Sequence, residues 1–233
     1  MILNYKGIDY KSEWVEYPDL APKFKEKGIP PNDKNEPGYF KDYTSPAVGF
    51  DDGTYVMESW KIAQGKLNTS IFNIQSNSQF LELEKRYPTP SLHLDDPIVP
   101  KIRDFIGEIF TPLRAEILPK IPRNLLSEVS AEYFETDRAK LFGMPLSQLE
   151  KEKGGDEAWE KAKKPAKEAG DMLREHGGPF FLGEKVTYAD LIFVSFLEFL
   201  RRSGDGMFEK WMALDPAFEK VYEASKEWLK RAD

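Results

Sequence analysis

Two short runs about ten residues apart have the types needed to hold a small peptide-like molecule. The first is Ser45-Pro46-Ala47-Val48 and the second Glu58-Ser59. A cis X-Pro bond at the entry to a strand would turn the N–H and C=O of residue 45 outward, where an extended ligand could pair with them. Ser59, near a helix N-terminus, adds a hydroxyl, and the helix dipole favours a carboxylate there. Together these groups suit an amino-acid-like ligand. Taken alone, Pro46 has a commoner reading as a strand-edge proline, and Glu58-Ser59 as an ordinary helix cap. A third signal lies in Phe181-Leu182-Gly183-Glu184-Lys185-Val186-Thr187-Tyr188-Ala189-Asp190-Leu191. Thr187 and Asp190, three apart, form a capping box, and Val186 with Leu191 a hydrophobic staple. We read this pair as structural rather than catalytic.

Composition removes much other chemistry. The chain has no cysteine, which excludes disulfides, thiolate metal sites and a protein thiol nucleophile, so any sulfur chemistry must come from a cofactor or substrate. Only His93 and His176 are present, too few for a histidine metal cage and few for a Ser-His-Asp triad. No metal is expected. Lys plus Arg total 33 against 40 Asp plus Glu, a formal charge of −7, with no basic run to neutralise phosphates. Nucleic acid and membrane are therefore poor partners. The longest apolar runs, such as Leu191 to Phe196, fall far short of the roughly 20 residues that span a bilayer, and the first residues carry no signal-peptide pattern. A cytoplasmic protein is expected. At 40% hydrophobic and 13% aromatic, its 233 residues should fold as one large domain or two small ones.

The elements that must position those residues differ between two halves. Up to about residue 60, β-type runs at Tyr10 to Tyr17, Pro46 to Phe50 and Thr54 to Met57 alternate with turns such as Ile29-Pro30-Pro31-Asn32-Asp33. Asp52-Gly53 predicts a tight hairpin turn. Glu58 to Ala63 has the composition of a helix start. A linker at Tyr87-Pro88-Thr89-Pro90-Ser91 follows. From Asp96 onward the period is helical: Ile98, Ile102, Phe105, Ile106, Ile109 and Leu113 share one face, as do Phe218, Val221, Tyr222, Ser225, Trp228 and Leu229. Leu191 to Leu200, apolar nearly all round, predicts the central helix of a bundle. Lys151 to Lys164 reads as a solvated turn and helix face, and Pro165 as a break or kink.

With those residues in view, the chain resembles the glutathione transferase family and looks closest to its fungal FuA class, relatives of the bacterial beta-etherases. The resemblance rests on Ser45 to Ala63, on the Tyr188-Ala189-Asp190-Leu191 cap, and on class-level segments at Leu3 to Ile8, Glu13 to Asp19, Glu84 to Pro88 and Phe142 to Glu150. It implies an α/β thioredoxin-like N-terminal domain over residues 1–90, truncated of its first strand, and an all-α helical bundle over 96–233. Glutathione is the implied co-substrate. By carry-over Pro46 is the cis-proline, the backbone of Ser45 pairs with the cysteinyl part, and Glu58 with Ser59 holds the γ-glutamyl end. The implied activity is conjugation or cleavage of hydrophobic aromatic compounds, with Phe110, Tyr133, Trp159 and Phe180 as candidate lining residues and core packing as their commoner fate. Family members commonly form homodimers, though no residue here identifies an interface.

Two departures follow. The chain opens at what looks like the end of the first thioredoxin helix, so the thiol-activating Ser, Tyr or Cys is expected before Met1. A non-catalytic protein that binds hydrophobic ligands, or an inactive truncated transferase, is the alternative reading. Residues 65–81, rich in Asn, Ser and Gln, interrupt what should be one helix. They read as a retained intron, since Gly65-Lys66 and Leu81-Glu82 are codable as splice donor and acceptor, or as a genuine loop, which costs little entropy per added residue.

Overall fold

The computed structural model describes residues 1–35, 39–59, 62 and 83–230. Its chain divides into two compact units, Met1–Ser12 with Asp95–Asp233, and Glu13–Leu94. The first unit opens with a single helical turn, α1 (Ile2–Tyr5). Tyr5 there meets Trp228 edge-on at 5.0 Å, and Asn4 Nδ2 donates to the Trp228 carbonyl at 2.7 Å.

The Glu13–Leu94 unit contains α2 (Leu20–Glu26), then strands β1 (Ala47–Gly49) and β2 (Tyr55–Met57), then the short α3 (Leu83–Arg86). β1 and β2 pair antiparallel, with Val48 opposite Val56. Gly53 turns the hairpin at φ +81°, a conformation an L side chain resists, while Gly49 is needed for room: a Cβ there would sit 2.5 Å from the Tyr55 ring. Phe24, Ile29 and Met57 form a small core, flanked by Leu20, Tyr43, Ala47 and Tyr55. Arg86 clasps the hairpin to α3, its guanidinium 4.1 Å above the Phe50 ring and 2.6 Å from Asp52.

The strand expected over Tyr10 to Tyr17 is absent. Residues 10–16 carry no regular structure and Tyr17–Asp19 forms a 3₁₀ turn with Pro18 inside it. The run carries β-type residues, Tyr10, Trp14, Val15 and Tyr17, but a strand needs a partner, and among the described residues β1 and β2 pair only with each other. Pro18 moreover fixes φ and lacks an N–H, which suits the first turn of a helix better than a ladder. The interruption at 65–81 lies outside the described residues, as do Trp60, Lys61 and Ala63 of the helix expected from Glu58 to Ala63.

The other unit is built from α4 (Ile98–Ile117), α5 (Lys120–Asn124), α6 (Glu128–Phe142), α7 (Leu146–Lys153), α8 (Asp156–Arg174), α9 (Tyr188–Ser203), α10 (Met207–Met212) and α11 (Ala217–Ala224). Its apolar period delivers the expected core: Ile102, Ile109 and Leu113 of α4 and Leu191, Phe193, Leu197 and Leu200 of α9 are fully buried. Aromatic rings run through it from Phe181 to Phe193, Phe218, Trp211 and Phe196, with centroids 5.4 to 5.6 Å apart. α8 continues through Pro165, so the proline does not break it; the residue is buried, and tertiary packing outweighs the one lost hydrogen bond. The helix expected from Phe218 to Leu229 does stop, at Ala224, where Ser225 bonds back to the Tyr222 carbonyl and a 3₁₀ turn (Lys226–Leu229) follows. No helix among the described residues is long and apolar enough to cross a membrane.

Thr187 and Asp190 start α9 as their spacing predicts. Asp190 Oδ2 accepts from the Thr187 N–H at 2.8 Å and hydroxyl at 2.9 Å, and Oδ1 accepts from the Phe181 N–H at 2.8 Å. Thr187 Oγ1 in turn accepts from the Ala189 N–H at 3.2 Å. Burial pushes the Asp190 carboxyl up, against these bonds. At the other end of α9, Glu198 accepts from Arg201, Arg202 and the Tyr222 hydroxyl. Burial alone would raise Glu198, but these donors outweigh it and hold the carboxyl at about 2.

Replacing Thr187 by Ala should cost about 1 kcal/mol in denaturant unfolding, the usual worth of an N-cap. Asp190→Ala should cost about 3 kcal/mol, since it strands buried donors. Because Glu198 titrates below its unfolded value, its contribution is complete above about pH 4.5 and is lost as the pH falls toward 2. A Glu198→Gln variant followed by thermal melting between pH 6 and 2 should therefore lose less stability on acidification than the parent.

Candidate functional site

The hairpin sets out the candidate residues in the Glu13–Leu94 unit. Its turn is closed by Phe50 N–H to the Thr54 carbonyl at 2.8 Å and by Thr54 N–H to Asp52 Oδ1 at 3.0 Å. The Thr54 amide and the Arg86 guanidinium hold the Asp52 carboxyl at about 2. Entering β1, the Ser45–Pro46 bond is cis and both residues are exposed. Leaving β2, the Glu58 N–H donates to the Pro46 carbonyl at 3.1 Å, which brings the start of one strand beside the end of the other. That bond joins Pro46 and Glu58 across the hairpin although twelve positions separate them in sequence.

Glu58 has a left-handed backbone, φ +75°, which is unusual for a side-chain-bearing residue. It is half-buried, and Ser59 next to it is exposed and opens a helical turn closed by Ile62 N–H to the Glu58 carbonyl at 2.9 Å.

Sequence reasoning missed Asn32 and Thr44. The Glu58 Oε1 accepts from Asn32 Nδ2 at 3.2 Å and from the Thr44 hydroxyl. Asn32 was legible only as a turn residue after Pro30-Pro31, because its partner lies 26 positions away. Thr44, one residue before Ser45, offered a hydroxyl and no spacing that marked it.

The four candidate lining aromatics belong to the helical unit and have separate surroundings. Phe180 is buried and stacks on Trp228 at 6.0 Å; Trp159 is buried beneath the Lys210 ammonium; Tyr133 is exposed on α6; Phe110 is half-buried on α4. A groove of about 660 Å³ lies between α4 and α8, with Ala115, Leu149 and Ala158 at its floor and Glu108, Arg114 and Lys161 among its walls. None of the four aromatics lines it. Asp190 is enclosed within its cap, consistent with a structural role. Among the described residues no cluster of three or more His, Cys, Asp or Glu could hold a metal ion.

A sequence profile described as Glutathione S-transferase, C-terminal domain matches residues 103–228. This chain belongs to the glutathione S-transferase family. A glutathione S-transferase-like protein of Aspergillus flavus, ustS, is 31% identical over 241 residues, an alignment covering 98% of this chain and 82% of that protein. Two solved glutathione transferases share its fold. GSTFuA2 of Phanerochaete chrysosporium superposes with a TM-score of 0.78 at 26% identity, over 99% of this chain and 88% of that one. CsGST63524 of Ceriporiopsis subvermispora, solved in complex with glutathione, gives 0.77 at 25%, over 99% and 89%. The expected architecture, a thioredoxin-like N-terminal part and a helical C-terminal domain of the glutathione transferase fold, therefore holds.

The left-handed backbone of Glu58 has a measurable cost of about 1 kcal/mol for a residue with a Cβ. Both Glu58→Ala and Glu58→Gly remove the carboxylate, so their difference isolates the backbone. The glycine variant should be the more stable of the two by about 1 kcal/mol in urea unfolding; equal stability would contradict the conformation.

Proposed function

We propose that this chain binds glutathione at the strand-turn-helix corner formed by Ser45, Pro46, Glu58 and Ser59, and presents its thiol to hydrophobic aromatic compounds. The observation that carries the reading is Glu58, whose carboxylate is fixed by Asn32 and Thr44 immediately before the exposed Ser59. A γ-glutamyl end carries an ammonium and a carboxylate on one carbon. A carboxylate and a hydroxyl side by side are complementary to that pair, Glu58 taking the ammonium and Ser59 the carboxylate. The main chain of Ser45, one residue before β1, would pair with the cysteinyl part as an added strand does. A family relative solved with glutathione supports the same ligand.

With the tripeptide held at both places, its sulfur is oriented, and orientation is a large part of what such a reaction requires. Conjugation forms a carbon–sulfur bond as the electrophile's leaving group departs; cleavage of an aromatic ether exchanges a carbon–oxygen bond for a carbon–sulfur one. Cytoplasmic conditions supply reduced glutathione and suit a cysteine-free chain.

A ligand that binds only the folded chain must stabilise it, by about 2.7 kcal/mol at a hundred times its dissociation constant. Glutathione should accordingly raise the melting temperature of the parent protein, and Ser59→Ala should need a higher concentration for the same rise. A midpoint unmoved at 10 mM glutathione would refute the reading.

A further inference from the structure

Glu58 is anchored through one oxygen only. Oε1 receives both the Asn32 amide and the Thr44 hydroxyl, whereas no hydrogen bond among the described residues reaches Oε2. Thr44 alone would leave the carboxylate free to pivot, because a hydroxyl proton follows its acceptor around the C–O bond. Asn32 does not have that freedom. Its Nδ2 also donates to the Lys41 carbonyl at 3.0 Å, and since a carbonyl only accepts, this bond settles which end of the amide faces Glu58. Its own N–H donates to the Asp42 carbonyl at 2.7 Å, so the residue is fixed through main chain and side chain to the same loop. The Nδ2 lies 3.3 Å from Thr44 Oγ1 as well, and the Thr44 N–H rests against Met57 Sδ at 3.2 Å. Asn32 is thus a fixed post between the 41–44 segment and the residue that follows β2.

We propose that Asn32 is a positioning residue of the ligand site: it pins Oε1 of Glu58 and so reserves Oε2 for a ligand ammonium. The inference rests on the glutathione reading above and deepens it, because it assigns recognition of the ammonium to a bond between Asn32 and Glu58 rather than to the acid alone. An unpinned Glu58 would still offer charge, but with both oxygens mobile it would distinguish poorly between a ligand that carries an ammonium and one that does not. Thr44 is the second contributor, through the same oxygen.

Calorimetric titration of the full chain with glutathione and with N-acetylglutathione, whose ammonium is replaced by a neutral amide, separates the possibilities. The parent should prefer glutathione by about tenfold or more, the worth of one charge-assisted hydrogen bond. In Asn32→Ala that preference should fall below about threefold, and in Thr44→Val it should fall in the same direction. A merely structural role would weaken both ligands alike and leave their ratio intact, which would overturn the proposal while the glutathione reading stood. Equal binding of the two ligands by the parent would likewise overturn it. A parent that bound neither would overturn the glutathione reading and this inference with it. Should Asn32→Ala fail to melt cooperatively, the ratio measured in Thr44→Val decides by the same criterion.

Discussion

A carboxylate removed from water must find its donors inside the protein, and the helical unit is organised around one that does. Asp190 collects two main-chain N–H groups and a hydroxyl, from Phe181, Thr187 and the Thr187 side chain. Those bonds fix where α9 begins and tie the Phe180–Gly183 turn to its first turn, which places Phe181 against Phe193 and so starts the row of aromatic rings. Because α9 packs against α4, α10 and α11, an error of one residue at its start would rotate every apolar side chain that these helices share. The same helix is secured at its far end by Glu198, which joins two arginines to Tyr222 of α11. Two acids, one at each end, thus fix a helix whose middle packs against its neighbours.

The other unit works differently. Its apolar cluster is small, and side-chain hydrogen bonds tie its segments together: Asn32 to the 41–44 segment and Glu58 to Asn32 and Thr44 at the candidate site, and elsewhere Glu84 to Ser91 and the Leu92 N–H. Such bonds contribute modest net stability each, but they are directional, and direction is what a binding corner needs. The positive φ of Glu58 is consistent with this arrangement, since surroundings that over-determine a residue can hold it in a conformation it would not choose.

What was legible in the sequence follows from how local its causes are. The capping box, the hairpin turn and the faces of α4 and α9 each depend on residues within a few positions of one another, so type and spacing reveal them. The Ser45–Pro46 and Glu58–Ser59 pairs were legible because each is contiguous, although only the fold brings them side by side. The Tyr10–Tyr17 strand failed for the converse reason: β-type residues record a preference, while a ladder needs a neighbour that no local pattern supplies. Asn32 was hidden in the same way. Its amide matters because of a carboxylate 26 residues on, and nothing about an asparagine after two prolines distinguishes a post from a turn. The extension of α8 through Pro165 shows burial overruling a local rule.

The two helices that border the 660 Å³ groove each contain a proline, Pro112 in α4 and Pro165 in α8, and both residues face it. A proline removes one rung from the helical ladder and crowds the carbonyl four residues back, here those of Glu108 and Lys161, which also border the groove. Each helix bordering the groove thus lacks one rung of its ladder at a residue that lines it, Pro112 in α4 and Pro165 in α8, so hydrogen bonding along both walls is incomplete beside the same cavity.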